Sequence, residues 1–150
     1  MVKGSKMNFF ESFVLKLLQE DISRKYRFTI HEHHAKRAGV HYDVRIENPK
    51  GNVDSWACRK GVPIEPGVKV LVIKQPEHKI DWLDYEGEYE GDKPGTYGAG
   101  KLIVWDKGEC HRIYETKENL IIEIIHSSKL KGKYVFHKMK EYDWILFKMK

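Results

Sequence analysis

The chain has 150 residues, 41% hydrophobic and 33% charged, with a formal net charge of +5, which is the size and ordinary composition of one folded domain. No apolar run approaches the ~20 residues that span a bilayer, and residues 1–6 lack the features of a signal peptide, so a cytoplasmic protein is expected. The two cysteines, Cys58 and Cys110, form neither a CxxC pair nor a zinc-type cluster and read as buried, reduced thiols.

In chain order, Asn8 with Glu11 makes a capping-box-like start. Phe9, Phe10, Phe13, Val14, Leu17 and Leu18 follow at helical spacing. They predict a helix with one apolar stripe, packed outside the main domain. After Arg27 the period becomes two. Strands are predicted over 27–33, 40–47, 53–59, 68–74, 101–106, 109–116, 120–126, 133–138 and 143–149. Turn signals at Asn48-Pro49-Lys50-Gly51, Lys107-Gly108 and Lys117-Glu118-Asn119 separate some of them. Residues 85–100 read as a long loop, and its Gly-rich end lacks the Walker spacing of a P-loop. Many short strands without alternating helices predict a mainly β fold, a compact antiparallel barrel. The division is a helical extension at 1–26 and a barrel domain at 27–150.

Charge is unevenly spread. From Ser127 to Lys150 there are seven Lys against Glu141 and Asp143, whereas residues 81–95 hold six acids and Lys93. A basic tail suits a polyanion such as nucleic acid, and it equally describes a solvated lysine-rich surface.

The chemistry concentrates in His31-Glu32-His33-His34 and His41-Tyr42-Asp43-Val44-Arg45. On a strand, Val40, Tyr42, Val44 and Ile46 share one face, and His41, Asp43, Arg45 and Glu47 share the other. His31 and His33 share a face with Thr29. If the two strands are antiparallel neighbours, His33 or His34 sits near His41 and Asp43. Two imidazoles and a carboxylate suit Mn²⁺, Fe²⁺ or Zn²⁺ and leave positions open for water and substrate. Arg45 points the same way, with a planar fork that fits a phosphate oxygen pair. The same alternation also describes any half-exposed strand. His126 and His137 read as structural, and His78 lies in a turn-like segment.

These residues resemble the 3′-phosphoesterase domain of bacterial DNA ligase D and its stand-alone archaeal relatives. The resemblance runs from about Arg27 to Lys150. It rests on His33-His34-Ala35, His41-Tyr42-Asp43-Val44-Arg45, Ser55-Trp56-Ala57 with Lys60-Gly61, Glu77-His78, Tyr97-Gly98-Ala99-Gly100, Ile103-Val104-Trp105-Asp106 and Lys129-Leu130-Lys131-Gly132, in that order. It implies a β-barrel enzyme that uses Mn²⁺ or another divalent transition metal. Such an enzyme removes a 3′-terminal ribonucleotide, a 3′-phosphate or both, leaving a 3′-OH for a separate polymerase or ligase. Its partners are the 3′ ends of nucleic acid. By position, His33, His41 and Asp43 are the metal ligands, and Arg45, His78 and Lys60 hold the phosphate.

The chain also departs from that family. Six residues separate His34 from His41, where the bacterial motif has about four, which keeps His34 as an alternative ligand. Trp82 stands where a Tyr of the phosphate site is common, and an indole donates but does not accept. Val70 sits where many members place an Arg. The N-terminal helix is unlike the arm that precedes the bacterial domain. Two other readings compete. His41-x-Asp43 with a distant His is also the facial triad of Fe(II) oxygenases. A non-catalytic barrel could bind single strands through its basic tail and exposed Tyr134, Tyr142 and Trp144.

Overall fold

The computed structural model describes residues 7–90 and 99–150, with residues 16–21 as backbone only. Asn8 caps the helix α1 (Phe9–Ser23) as its sequence suggests. Asn8 Oδ1 accepts from the Glu11 amide at 2.8 Å, and Glu11 Oε1 accepts from Asn8 Nδ2 at 3.2 Å. The helix lies beside the barrel against one long strand. Phe9 and Phe10 remain 88% and 71% exposed. Leu17 and Leu18 of the predicted stripe lie outside the described side chains.

The strands are β1 (Lys25–Ala35), β2 (Gly39–Glu47), β3 (Val53–Cys58), β4 (Lys69–His78), β5 (Gly87–Tyr89), β6 (Gly100–Glu115), β7 (Asn119–Ser127), β8 (Lys133–Lys140) and β9 (Asp143–Lys148). The order β1-β2-β3-β4-β9-β8-β7-β6 closes through β1–β6, giving an antiparallel barrel of eight strands. β5 continues the edge of β6 beyond β7, pairing Gly87 with Leu102 and Tyr89 with Gly100. Closure removes the exposed edges that an open sheet of this size would carry. Among the described residues no helix is long and apolar enough to cross a membrane.

One face of each strand fills the barrel. Phe28 and Ile30 of β1 meet Val44 and Ile46 of β2, with Trp56, Phe136 and Leu146 behind them. The Trp56 ring lies 4.5 Å from Phe136 and 5.7 Å from Trp144, the latter edge-on, an arrangement that aromatic quadrupoles favour. Cys58 and Cys110 are both fully buried and unpaired. Burial pushes the Cys110 thiol up to about 12, so it stays protonated at neutral pH.

Several expectations need correction. Lys107-Gly108 is no turn: the two segments predicted around it form the single strand β6. The glycine is there for proximity. A Cβ on Gly108 would stand 1.9 Å from the His126 carbonyl oxygen, so only glycine lets β7 come this close. The predicted loop over 85–100 contains β5 and reaches the first residue of β6, and its residues 91–98, with Tyr97 and Gly98, lie outside the described residues. Tyr134 and Trp144 are not exposed aromatics but core residues, 1% and 7% exposed, while Tyr142 is exposed. The Tyr134 hydroxyl donates to the Pro63 carbonyl at 2.7 Å, which satisfies it inside the barrel. Val70 also faces the core, whereas Lys69 Nζ lies over the Phe147 ring at 5.3 Å.

Candidate active site

The other face of β1, β2 and β3 points away from the barrel interior, yet it is buried. Register sets His33 opposite His41, His31 opposite Asp43 and Thr29 opposite Arg45. Arg45 in turn lies opposite Ser55 on β3. Residues 80–89, the 3-10 turn Ile80–Asp84 followed by β5, roof this polar row. Thr29 Oγ1 donates to the Leu83 carbonyl at 2.7 Å, and Arg27 pairs with Asp84 at 2.5 Å. Roofing explains why Asp43 and Arg45 are 5% and 4% exposed on a face that alternation alone assigns to solvent.

His33, His41 and Asp43 converge. His33 Nδ1 is 2.9 Å from Asp43 Oδ2, and His41 Nε2 is 3.2 Å from Asp43 Oδ1. The imidazole centroids are 4.6 Å apart. One donor atom from each of the three residues lies within 4.8 Å of the others. An ion at about 2.0–2.2 Å from each donor needs donors roughly 3–4 Å apart. The three side chains therefore fit a divalent cation with little movement, and two nitrogens with a carboxylate match the preferences of Mn²⁺, Fe²⁺ and Zn²⁺.

Arg45 stands beside this group. Its Nη2 donates to Asp43 Oδ2 at 3.3 Å and its Nε to His31 Nδ1 at 3.2 Å. Among the described residues, Nη1 is buried without a hydrogen-bond partner. An unpaired buried donor costs about 1–3 kcal/mol, more when charged, so this nitrogen marks where an anion would gain most. The Trp82 indole faces the guanidinium at 5.2 Å. Trp82 also touches His78, Tyr85 and Tyr89, with ring centroids 5.0–5.3 Å away. His78 is thus joined to Arg45 through an aromatic wall.

Burial on its own pushes the Asp43 carboxyl up. The His33 and His41 hydrogen bonds and the Arg45 charge outweigh it and hold the group well below the usual carboxylate range. Burial, with help from Arg45, pulls His31 from 6.5 down to about 4. The unfolded chain protonates this imidazole near 6.5, and the folded chain only near 4. Its share of stability is therefore full above pH 6.5 and is lost as pH falls from 6.5 towards 4. The loss amounts to about 3 kcal/mol. Urea unfolding of metal-free protein at pH 7 and pH 4.5 measures it. His31→Gln should flatten the slope, and an equal slope in both proteins would contradict the assignment.

His34 and Lys60 are not part of this three-residue cluster. His34 is exposed on the opposite face of β1, with Nε2 2.6 Å from Glu32 Oε1. Lys60 is exposed just past β3, whose Cys58 pairs with Tyr42 near the His41 end of β2. His126 pairs with Glu109 at 2.9 Å and His137 with Asn119 at 2.7 Å, both away from the site. Two participants carried no assigned role in the sequence. His31 had a legible signal, the face it shares with His33. Tyr89, whose ring lies 6.2 Å from His33, had none, because its segment read as loop.

The DNA ligase D 3′-phosphoesterase domain family matches residues 31–138. The multifunctional non-homologous end joining protein LigD of Pseudomonas aeruginosa is 32% identical over 140 residues, covering 88% of this chain. The LigD of Mycolicibacterium smegmatis is 33% identical over 134 residues, covering 83% of it. The DNA repair protein LigD of Mycobacterium tuberculosis is 34% identical over 128 residues, covering 82%. The chain spans only 16%, 17% and 16% of the length of these relatives. The chain belongs to the DNA ligase D 3′-phosphoesterase domain family.

Proposed function

We propose that the protein is a metal-dependent phosphoesterase of DNA repair that cleans the 3′ ends of nucleic acid. It removes a 3′-terminal ribonucleotide, a 3′-phosphate or both, and leaves a 3′-OH for a separate ligase or polymerase in the cytoplasm. Residues 27–150 carry the activity and residues 1–26 form an extension. The observation that carries the reading is the His33–His41–Asp43 group beside Arg45, whose Nη1 is buried and has no hydrogen-bond partner among the described residues.

His33, His41 and Asp43 are the proposed ligands of Mn²⁺ or a similar divalent ion. When bound, such an ion polarises the phosphoryl group and offsets its charge. The rest falls to the chain. Arg45 Nη1 takes an oxygen of the scissile phosphate, and the dry surroundings strengthen that contact. Asp43 holds Nη2, which fixes one side of the fork. His78, beside Trp82, supplies a proton to the leaving oxygen or offsets charge on the phosphate. Lys60 meets the phosphate chain further out. A facial triad for Fe(II) chemistry uses the same donors, but it gives no reason for a buried guanidinium with a vacant donor.

The test uses two primers, one ending in a single ribonucleotide and one in a 3′-phosphate, with manganese or with EDTA. Shortened or dephosphorylated product is expected with manganese alone. Unchanged ends under both conditions would end the proposal. Succinate formation from 2-oxoglutarate with iron, without phosphate release, would favour the oxygenase.

A further inference from the structure

Arg45 reaches the site on a long side chain that can adopt many rotamers, so something must select the one observed. Its guanidinium is held from two directions. Asp43 takes Nη2, and His31 Nδ1 takes Nε at 3.2 Å. His31 is 0% exposed, and its other nitrogen, Nε2, lies 2.7 Å from the Tyr85 carbonyl oxygen. A carbonyl only accepts, so Nε2 carries the hydrogen. Nδ1 is then a bare lone pair, which is what the Arg45 Nε–H requires. One tautomer satisfies both neighbours, and the ring is left no second way to pair.

We propose that His31 is a positioning residue: it fixes the Arg45 fork with Nη1 towards the substrate phosphate and ties that orientation to the Tyr85 backbone in the segment that roofs the site. This rests on the reading of Arg45 as the phosphate-holding group. The bridge needs an acceptor on one end of a planar group and a donor on the other. The glutamine amide offers both. Leucine fills similar space and offers neither.

The experiment uses the full chain without metal, labelled with ¹⁵N, and inorganic phosphate as the probe. Wild type, His31→Gln, His31→Leu and Arg45→Met are titrated. In wild type, His31 Nδ1 should resonate as an unprotonated ring nitrogen, and the Arg45 Nε–H signal should exchange slowly. His31→Leu should speed that exchange and weaken phosphate binding roughly tenfold, the value of one charge-assisted hydrogen bond. His31→Gln should restore most of both. With manganese present, His31→Leu should lower kcat/KM while leaving manganese affinity unchanged.

If Arg45→Met binds phosphate as tightly as wild type, the reading of Arg45 fails and the proposal falls with it. If Arg45→Met is weak but His31→Leu binds normally, the proposal alone is overturned. A glutamine variant as impaired as the leucine variant overturns it too. Should His31→Leu fail to fold, the wild-type signals decide: a protonated Nδ1 or a rapidly exchanging Arg45 Nε–H refutes the bridge.

Discussion

Asp43→Ala is expected to abolish divalent-metal binding and to lower 3′-phosphate release on the order of a thousandfold, the rate equivalent of several kcal/mol of transition-state stabilisation. Asp43 is the sole carboxylate of the three-residue group and the point where its contacts meet. Its Oδ2 faces His33 Nδ1 and Arg45 Nη2, and its Oδ1 faces His41 Nε2. Alanine removes the anion and leaves two imidazoles and a guanidinium facing one another in a buried pocket. Breaking a buried pair from one side costs about 3–5 kcal/mol, so the fold must be monitored by circular dichroism. Asp43→Asn keeps the shape and isolates the charge. Calorimetric titration with manganese and turnover of a 3′-phosphate primer give the readouts. Full turnover by either variant would sink the assignment of Asp43.

Arg45→Met should leave manganese binding near wild type and cut kcat/KM about a hundredfold or more, as for loss of a donor aimed at developing charge. The three proposed donors to the ion do not include Arg45, so the two readouts separate. Methionine fills the same buried volume under Trp82 and removes the unpaired Nη1. Stability should fall, though by less than in Asp43→Ala: His31 Nδ1 loses its donor and Asp43 its buried cation, while His33 and His41 still satisfy the carboxylate. Arg45→Lys should not rescue turnover, since an ammonium lacks the fork that reaches His31, Asp43 and an oxygen at once. Normal kcat/KM in Arg45→Met would remove Arg45 from the chemistry.

Much of this was legible from period-two alternation. The pattern in residues 40–47 placed Val44 and Ile46 in the core and His41, Asp43 and Arg45 together on the opposite face, and the β1–β2 register joins His33 to them. The Asn8–Glu11 cap was legible because it is a local exchange of hydrogen bonds. The failures share a cause. Gly108 resembles a turn residue until the His126 carbonyl opposite it is known. Tyr134 and Trp144 resemble a stacking surface until the barrel closes around them. The burial of Asp43 and Arg45 depends on residues 80–89, distant in sequence, folding over them. Each needed a contact between segments that no local pattern encodes.

The β1–β2 hairpin has one more implication. Its ladder runs on past His33–His41 to Ala35–Gly39, so two added residues lengthen the arm by a single rung and leave inward and outward positions where they were. One added residue within β2 would instead send Asp43 inward and Val44 outward, ruining hydrophobic packing and chemistry at a stroke. Length variation at this tip is therefore tolerable in even steps, which accounts for how a longer arm can coexist with an intact triad.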